Sequence, residues 1–220
     1  MGSFSPPRLI ETEHLWLRAL VDSDAEQVFH ALFGDPQVTE WLPMRTLESV
    51  DDARTYIRKL HRGWERGTLF TWGLEDKKTG HLCALIELRP NLPRIELGVV
   101  TSQRPTHRRR RAGLVALRKL VDWVMIQPGV YRLYACCSPQ GHSAPVMEKL
   151  GFVLEGRLVN WDARPNLGMQ VDDSLIFALT RQPEAQAAKA SQDTAPAPAH
   201  TPPQITRHDV ALQACAELVD

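Results

Sequence analysis

The sequence predicts an α+β domain, and three observations carry that reading. Strand-like alternation stands at both ends of residues 15–181, three consecutive strand patterns lie between 68 and 100, and helical spacing fills the segments between them. "LWLRAL" (15–20) alternates apolar and polar residues and opens the domain as a strand. "DSDAEQVFHALFGD" follows as a helix, with Ser23 and Glu26 in capping-box spacing. "SVDDARTYIRKLHRGWERG" gives a second helix, its apolar stripe running through Val50, Ala53, Tyr56, Ile57 and Leu60. "TLFTWGLED" and "HLCALIELRP" are strands joined by the polar turn "KKTG", and "RIELGVV" is the next strand. A helix over 112–126 precedes the strand "VYRLYACCS", whose apolar run predicts burial on both faces. The short helix "SAPVMEKLG" ends at Gly151 as a natural C-cap, and the strands "FVLEGRLVNW" and "DSLIFALT" close the domain near residue 181.

The domain is therefore placed at 1–182. Beyond it, "RQPEAQAAKASQDTAPAPAHTPPQ" is rich in Ala, Pro, Ser and Gln without apolar periodicity, which predicts a disordered linker over 183–204. Helical spacing returns at 205–220, where Val210, Ala214 and Leu218 share a stripe. A helix this short is marginal alone, so it docks on its own domain, on a second subunit as in a homodimer, or not at all.

Composition excludes several classes. Hydrophobic residues make up 43% and charged residues 24% of the 220, ordinary for a chain that buries a core. With 26 basic and 26 acidic residues, no global charge draws the chain to nucleic acid or membrane. Cys83, Cys136, Cys137 and Cys215 lack metal-site spacing, and no metal is expected. No apolar run approaches the roughly 20 residues that span a bilayer. The N-terminus lacks a signal-peptide core, which leaves the cytoplasm as the expected location.

Four arginines stand before a helix in "PTHRRRRAGLVALRKLVDW" (105–123). A strand, a loop and a helix in this order build an anion site, because the first helical amides have no internal partners and the dipole is positive there. A solvated basic patch is an equal reading of the run. Nucleic-acid binding ranks third, since no aromatic residues interleave the arginines.

From Leu9 to about Thr180 the chain resembles the GNAT acyltransferase superfamily, in the branch of ribosomal-protein N-terminal acetyltransferases (RimJ/RimL-like). "IETEHLWLRAL", "DAEQVFHALFGDPQVTEWLP", "IELGVV", "RKLVDWV" and "GVYRLYACCSPQGHSAPVMEKLGFVLEGRL" carry the resemblance by their order and spacing. It implies a mixed, mostly antiparallel sheet splayed between the fourth and fifth strands, with helices on both faces and acetyl-CoA in the opening. It also implies direct attack of a primary amine, from a protein α-amino group or a small molecule, on the thioester. Val99 and Val100 would then offer backbone groups to the acetyl and pantetheine arm. Arg108, Arg109, Arg110, Arg111, Ala112 and Gly113 would cradle the pyrophosphate, and Gln140 would stand beside the pantetheine arm. Ser143 would hydrogen-bond the departing thiolate, and Glu96 would act as base, with Glu87 a weaker competitor. Ser143 has a second reading as the cap of its helix. His107 and His142 flank the site, and Tyr131 or Tyr134 could serve as an acid only if directed into the cleft.

The chain departs from the family pattern where Arg111 stands in place of the loop's central glycine, Gln140 in place of an asparagine, and Val115 in place of an acidic residue. These changes keep an alternative open: a non-catalytic protein of the same fold that binds a nucleotide-like ligand or a partner. "WLPMR" and "NWDARPNLG" would flank the acceptor pocket, with Trp41, Trp161 and Arg164 as lining. Cutting the chain after residue 183 should leave the domain's melting temperature within a few degrees of the full chain, checked by calorimetry; a large drop would make the terminal helix part of the core.

Overall fold

A computed structural model describes residues 4–107 and 109–183. The expected linker and terminal helix therefore lie outside the described residues apart from Pro183, as does Arg108. Among the described residues, eight strands form one sheet in the order β1-β2-β3-β4-β5-β6-β8-β7. They are β1 (Leu9–Glu11), β2 (Leu15–Arg18), β3 (Phe70–Asp76), β4 (Leu82–Asn91), β5 (Arg94–Thr101), β6 (Arg132–Cys137), β7 (Val153–Arg164) and β8 (Met169–Thr180). Every neighbouring pair is antiparallel except β5 and β6. That parallel ladder holds Arg94↔Arg132, Ile95↔Leu133 and Glu96↔Tyr134 and then ends, while both strands run on. The expected splay is present. It falls between the fifth and sixth strands, because β1, too short to show alternation, precedes the strand taken as first.

Helices cover both faces. On one side, α4 (Arg110–Met125) buries Ala116, Leu117, Leu120, Val121 and Val124 against Ile86, Leu88, Ile95, Leu97, Leu133 and Phe177. On the other, α3 (Val50–Arg66) buries Ala53, Ile57 and Leu60 against Leu82 and Leu85, together with Val28 and Leu32 of the first helical segment. The α3 stripe is the one the spacing predicts. Ser49 Oγ accepts from the Asp52 amide at 3.1 Å to start it, and Gly67 ends it at φ +67°. None of these helices is long and apolar enough to cross a membrane.

Four local expectations are corrected. The first helix is not one helix: α1 (Ala25–Val28) opens into a wide turn over Phe29–Phe33 before α2 (Pro36–Thr39). Its entry is capped by Asp24, whose carboxylate accepts from the Val21 amide at 2.8 Å, rather than by the Ser23/Glu26 pair. Asp24 is also held by Arg18 at 2.7 Å. The strand β6 is buried on one face only, through Leu133 and Ala135, because its other face looks into the splay. The last two strands extend to a tight turn over Pro165–Leu167, closed by Gly168 at φ +69°. The anion-loop helix begins at Arg110 rather than 112.

At the sheet's outer edge, β7 carries exposed Leu154, Val159 and Trp161, and its ladder to β8 is interrupted near Leu154/Gly156 and again between Leu158 and Arg164. Substituting Ser49→Ala removes the cap of α3 and should lower stability by about 1 kcal/mol, read from the urea midpoint at unchanged slope.

Candidate active site

The opening between β5 and β6 organises the site. The C-terminal end of β5 leads through the 3-10 turn Pro105–His107 to the N-terminus of α4, and the C-terminal end of β6 leads to α5 (Ala144–Lys149). Two helix starts thus lie at the end where the strands part. Val99 and Val100 fall beyond the last β5–β6 pair, while their β4 partners Ile86 and Leu85 hold them on the other side. Val99 packs into the α4-side core and Val100 into the α3-side core, so the backbone between them faces the opening.

Strand alternation collects the titratable groups on the α3 side. Leu85 faces that core, so Glu87 and Arg89 share its side. Val100 does likewise for Gly98 and Glu96, and the register Glu96↔Tyr134 adds Tyr134 and Cys136. Glu87 is buried, with Tyr56 Oη donating to one carboxylate oxygen and Arg89 Nη2 to the other. Both of its oxygens are engaged, which makes it an anchor. Glu96 is 37% exposed in its side chain and holds only long contacts: Arg89 Nη1 at 3.6 Å and Tyr134 Oη at 3.5 Å. Gly98 leaves room for the guanidinium, since a Cβ there would come 3.4 Å from Arg89 Nη1. Burial, then the Glu87 carboxylate, holds the Tyr56 phenol well above its ordinary range. Burial, then Glu96, raises the Tyr134 phenol in the same way, so it stays protonated beside Glu96.

At the anion loop, Arg109 is turned to Asp76 at the end of β3, donating from Nε to Oδ2, with Nη1 3.4 Å from Thr106 O. Burial opposes ionisation of Asp76, yet the bonds from Arg109 and from the Thr79 and Lys78 amides outweigh it and hold the carboxyl below the usual range. Arg110 and Arg111 are exposed, Ala112 packs on the core, and a Cβ built at Gly113 meets nothing within 4 Å. The space over this first turn is therefore open. A concavity of about 490 Å³ adjoins it, lined by Thr12–His14, Arg109–Ala112 and Val115.

Ser143 stands exposed at the start of α5, and its hydroxyl makes no cap bond; the backbone carbonyl instead receives the Val146 amide at 3.0 Å. Gln140 is folded into its own loop, its Oε1 2.9 Å from Ser138 Oγ. Arg164 is not acceptor-pocket lining. It is buried, bonded from Nε to Asp172 at 3.1 Å and from Nη2 to Ser174 Oγ at 3.0 Å. Trp161 is exposed on β7, and Trp41 is half-buried.

His107 does not reach the opening either. It is buried, its Nδ1 3.2 Å from Leu82 O, and its ring stacks on His81 with centroids 4.4 Å apart. Sequence reasoning missed Tyr56, assigned to the apolar stripe, and Arg89, whose spacing of two from Glu87 on a strand was the available signal.

Residues 14–153 match the family model described as the acetyltransferase (GNAT) domain. An uncharacterised N-acetyltransferase of Bacillus subtilis (strain 168), YoaA, is 27% identical over 154 residues, covering 68% of this chain and 85% of that one. The structure is similar to that of a putative ribosomal-protein-serine acetyltransferase from Vibrio cholerae, with a TM-score of 0.65 at 19% identity over 81% of this chain and all of that one. It is also similar to RimL, a ribosomal alpha-N-protein acetyltransferase solved in complex with coenzyme A, with a TM-score of 0.68 at 14% identity over 78% and 97% of the two chains.

Burial, then His81, lowers the His107 pKa below its ordinary value. The unfolded chain therefore binds the proton first, and the stability His107 contributes is present above about pH 6.5 and lost as pH falls below it. The melting temperature should drop between pH 7 and 5, and His107→Gln should flatten that slope; equal slopes in both proteins would refute the assignment.

Proposed function

The chain belongs to the GNAT acetyltransferase family, and from that premise we propose that it moves an acetyl group from acetyl-CoA to a primary amine by direct attack. The observation that carries this reading is the early end of the β5–β6 ladder at Glu96↔Tyr134. It leaves β5 backbone open to a pantetheine arm, as an added strand would use it. It also sets the α4 start where a pyrophosphate would lie and the α5 start where a thiolate would depart. The open space over Gly113 fits close approach of a phosphate group.

Within that frame the residues divide the work. Backbone groups of Val99 and Val100 align the acetyl and pantetheine arm. Arg108, Arg110 and Arg111 supply charge to the pyrophosphate, with the Ala112 and Gly113 amides beneath, while Arg109 fixes the loop through Asp76. Gln140 keeps the pantetheine side of the loop in shape through Ser138. Glu96 takes the proton from the attacking amine, and the Ser143 hydroxyl donates to the leaving thiolate. The nitrogen–carbonyl bond forms as the carbon–sulfur bond breaks, giving an N-acetyl product and CoA thiol. Tyr134, kept protonated, orients Glu96. The acceptor is a protein α-amino group, as the ribosomal-protein branch would have it, or a small-molecule amine.

Calorimetric titration should give micromolar binding of acetyl-CoA, weakened by Arg110→Ala with Arg111→Ala. Glu96→Gln should leave that affinity within about twofold while lowering turnover of an amine panel, read as released thiol, by about 10²–10⁴. Absence of binding at millimolar acetyl-CoA would refute the proposal; binding without turnover of any amine would favour a ligand-binding protein of this fold.

A further inference from the structure

The turn between β7 and β8 reaches across the opening. Asn166 Nδ2 donates to Thr39 O at 2.7 Å and to Met44 O at 2.8 Å, and its Oδ1 accepts from the Thr46 amide at 3.0 Å and lies 3.2 Å from Thr46 Oγ1. One amide side chain thus spends both donors and its acceptor on a single segment. Thr39 Oγ1 and Thr46 Oγ1, 2.6 Å apart, close that segment on itself.

The two parties belong to different halves of the sheet. Residues 39–46 lie between α2 and α3, and Leu42 and Met44 pack on the core over the β2–β4 half. Asn166 belongs to the β6-β8-β7 half. Their contact therefore bridges the splay on the α3 side, the side that Glu96, Tyr134 and Cys136 face. The bridge is stiff at its root as well. Arg164 is buried against Asp172 and Ser174, and Ser174 Oγ donates to Asp162 at 2.8 Å. Pro165 and the positive φ of Gly168 hold the turn itself tight.

We propose that Asn166 closes a strap over the Glu96 side of the opening, so that the acceptor enters as a slender, flexible chain end bearing an amine and not as a lysine on a folded surface. A strap of this kind selects by cross-section. A chain terminus or a linear amine passes beneath it, and the carboxylates of Glu96 and Asp162 favour a cationic visitor. A side chain on a folded surface brings its neighbouring backbone against the strap first. This selection rests on the reading of the opening as the transfer site, but the passage can be tested without turnover.

Cys136 supplies the probe. Its thiol faces the same side as Glu96, close enough to Glu96 and Asp162 for both carboxylates to raise its pKa; burial is the larger cause, and together they push it to about 11. Labelling is compared at one pH between slender N-ethylmaleimide and a maleimide on a rigid fluorescein body, read at Cys136 by fragment mass spectrometry and normalised to the denatured chain. In the intact protein the slender reagent should react at least about tenfold faster, a ratio that one or two hydrogen bonds' worth of closure sustains. Asn166→Ala should bring the ratio close to one, and Thr46→Val, which keeps the Thr46 amide, should lower it part of the way. Equal rates in the intact protein, an unchanged ratio in both variants, or no reaction with either reagent would overturn the strap. Acetyl-CoA titration of the same samples reports separately on the transfer site, so the two readings fail independently.

Discussion

A parallel pairing that stops after three residues is the constraint on which the rest of this structure depends. Parallel strands need a crossover, and here the crossover is the anion-loop turn and α4. The same connection that allows β5 and β6 to lie side by side delivers a helix N-terminus to the end where they separate. Had the ladder continued past Glu96, the Val99 and Val100 backbone would be spent on β6, and the space between the halves would close. The two cores, one on each face, keep the halves rigid, so the gap is held by packing on both sides of it.

Charge is distributed along that gap with a clear division. Glu87 is saturated by Tyr56 and Arg89 and ties α3 to the centre of the sheet, whereas Glu96 sits one strand over with long, weak contacts and partial access to solvent. A base has to surrender its contacts when a substrate arrives, and only the second carboxylate is in a state to do so. The same logic separates the arginines: Arg109 neutralises a buried aspartate and shapes the loop, leaving exposed Arg110 and Arg111 to meet an anion.

Elements with strong local signals were legible in the sequence. The α3 stripe, its Ser49 and Gly67 boundaries, the β3–β4 hairpin and the strand–loop–helix around the arginines all follow from periodicity and cap chemistry within a few residues. Elements whose form is set by distant partners were not. β1 is three residues long and exists because β2 offers it an edge. The helix after β2 breaks where Phe29–Phe33 widens the turn, and no residue in it announces that. Glu96, Ser143 and the arginine loop were found through a family resemblance, and each lies on an element that borders the opening. Arg164 was read as lining because its buried partners Asp172 and Ser174 look like solvated strand residues in sequence. Asn166 finds its partners 120 or more positions away, beyond any local pattern.

The sheet ends on β7, a long outer strand with Val159 and Trp161 turned to solvent. Such a rim invites another chain to add its own strand and continue the hydrogen-bond ladder. Here the rim is irregular: the register slips at Leu154/Gly156 and between Leu158 and Arg164, and Asn160 sits at φ +52°. Each slip turns the backbone amides out of line, so a straight partner strand finds no unbroken run to pair with. Irregularity of the outermost strand thereby guards the molecule against edge-to-edge aggregation, and lets it carry apolar side chains at its margin without becoming the seed of a fibre.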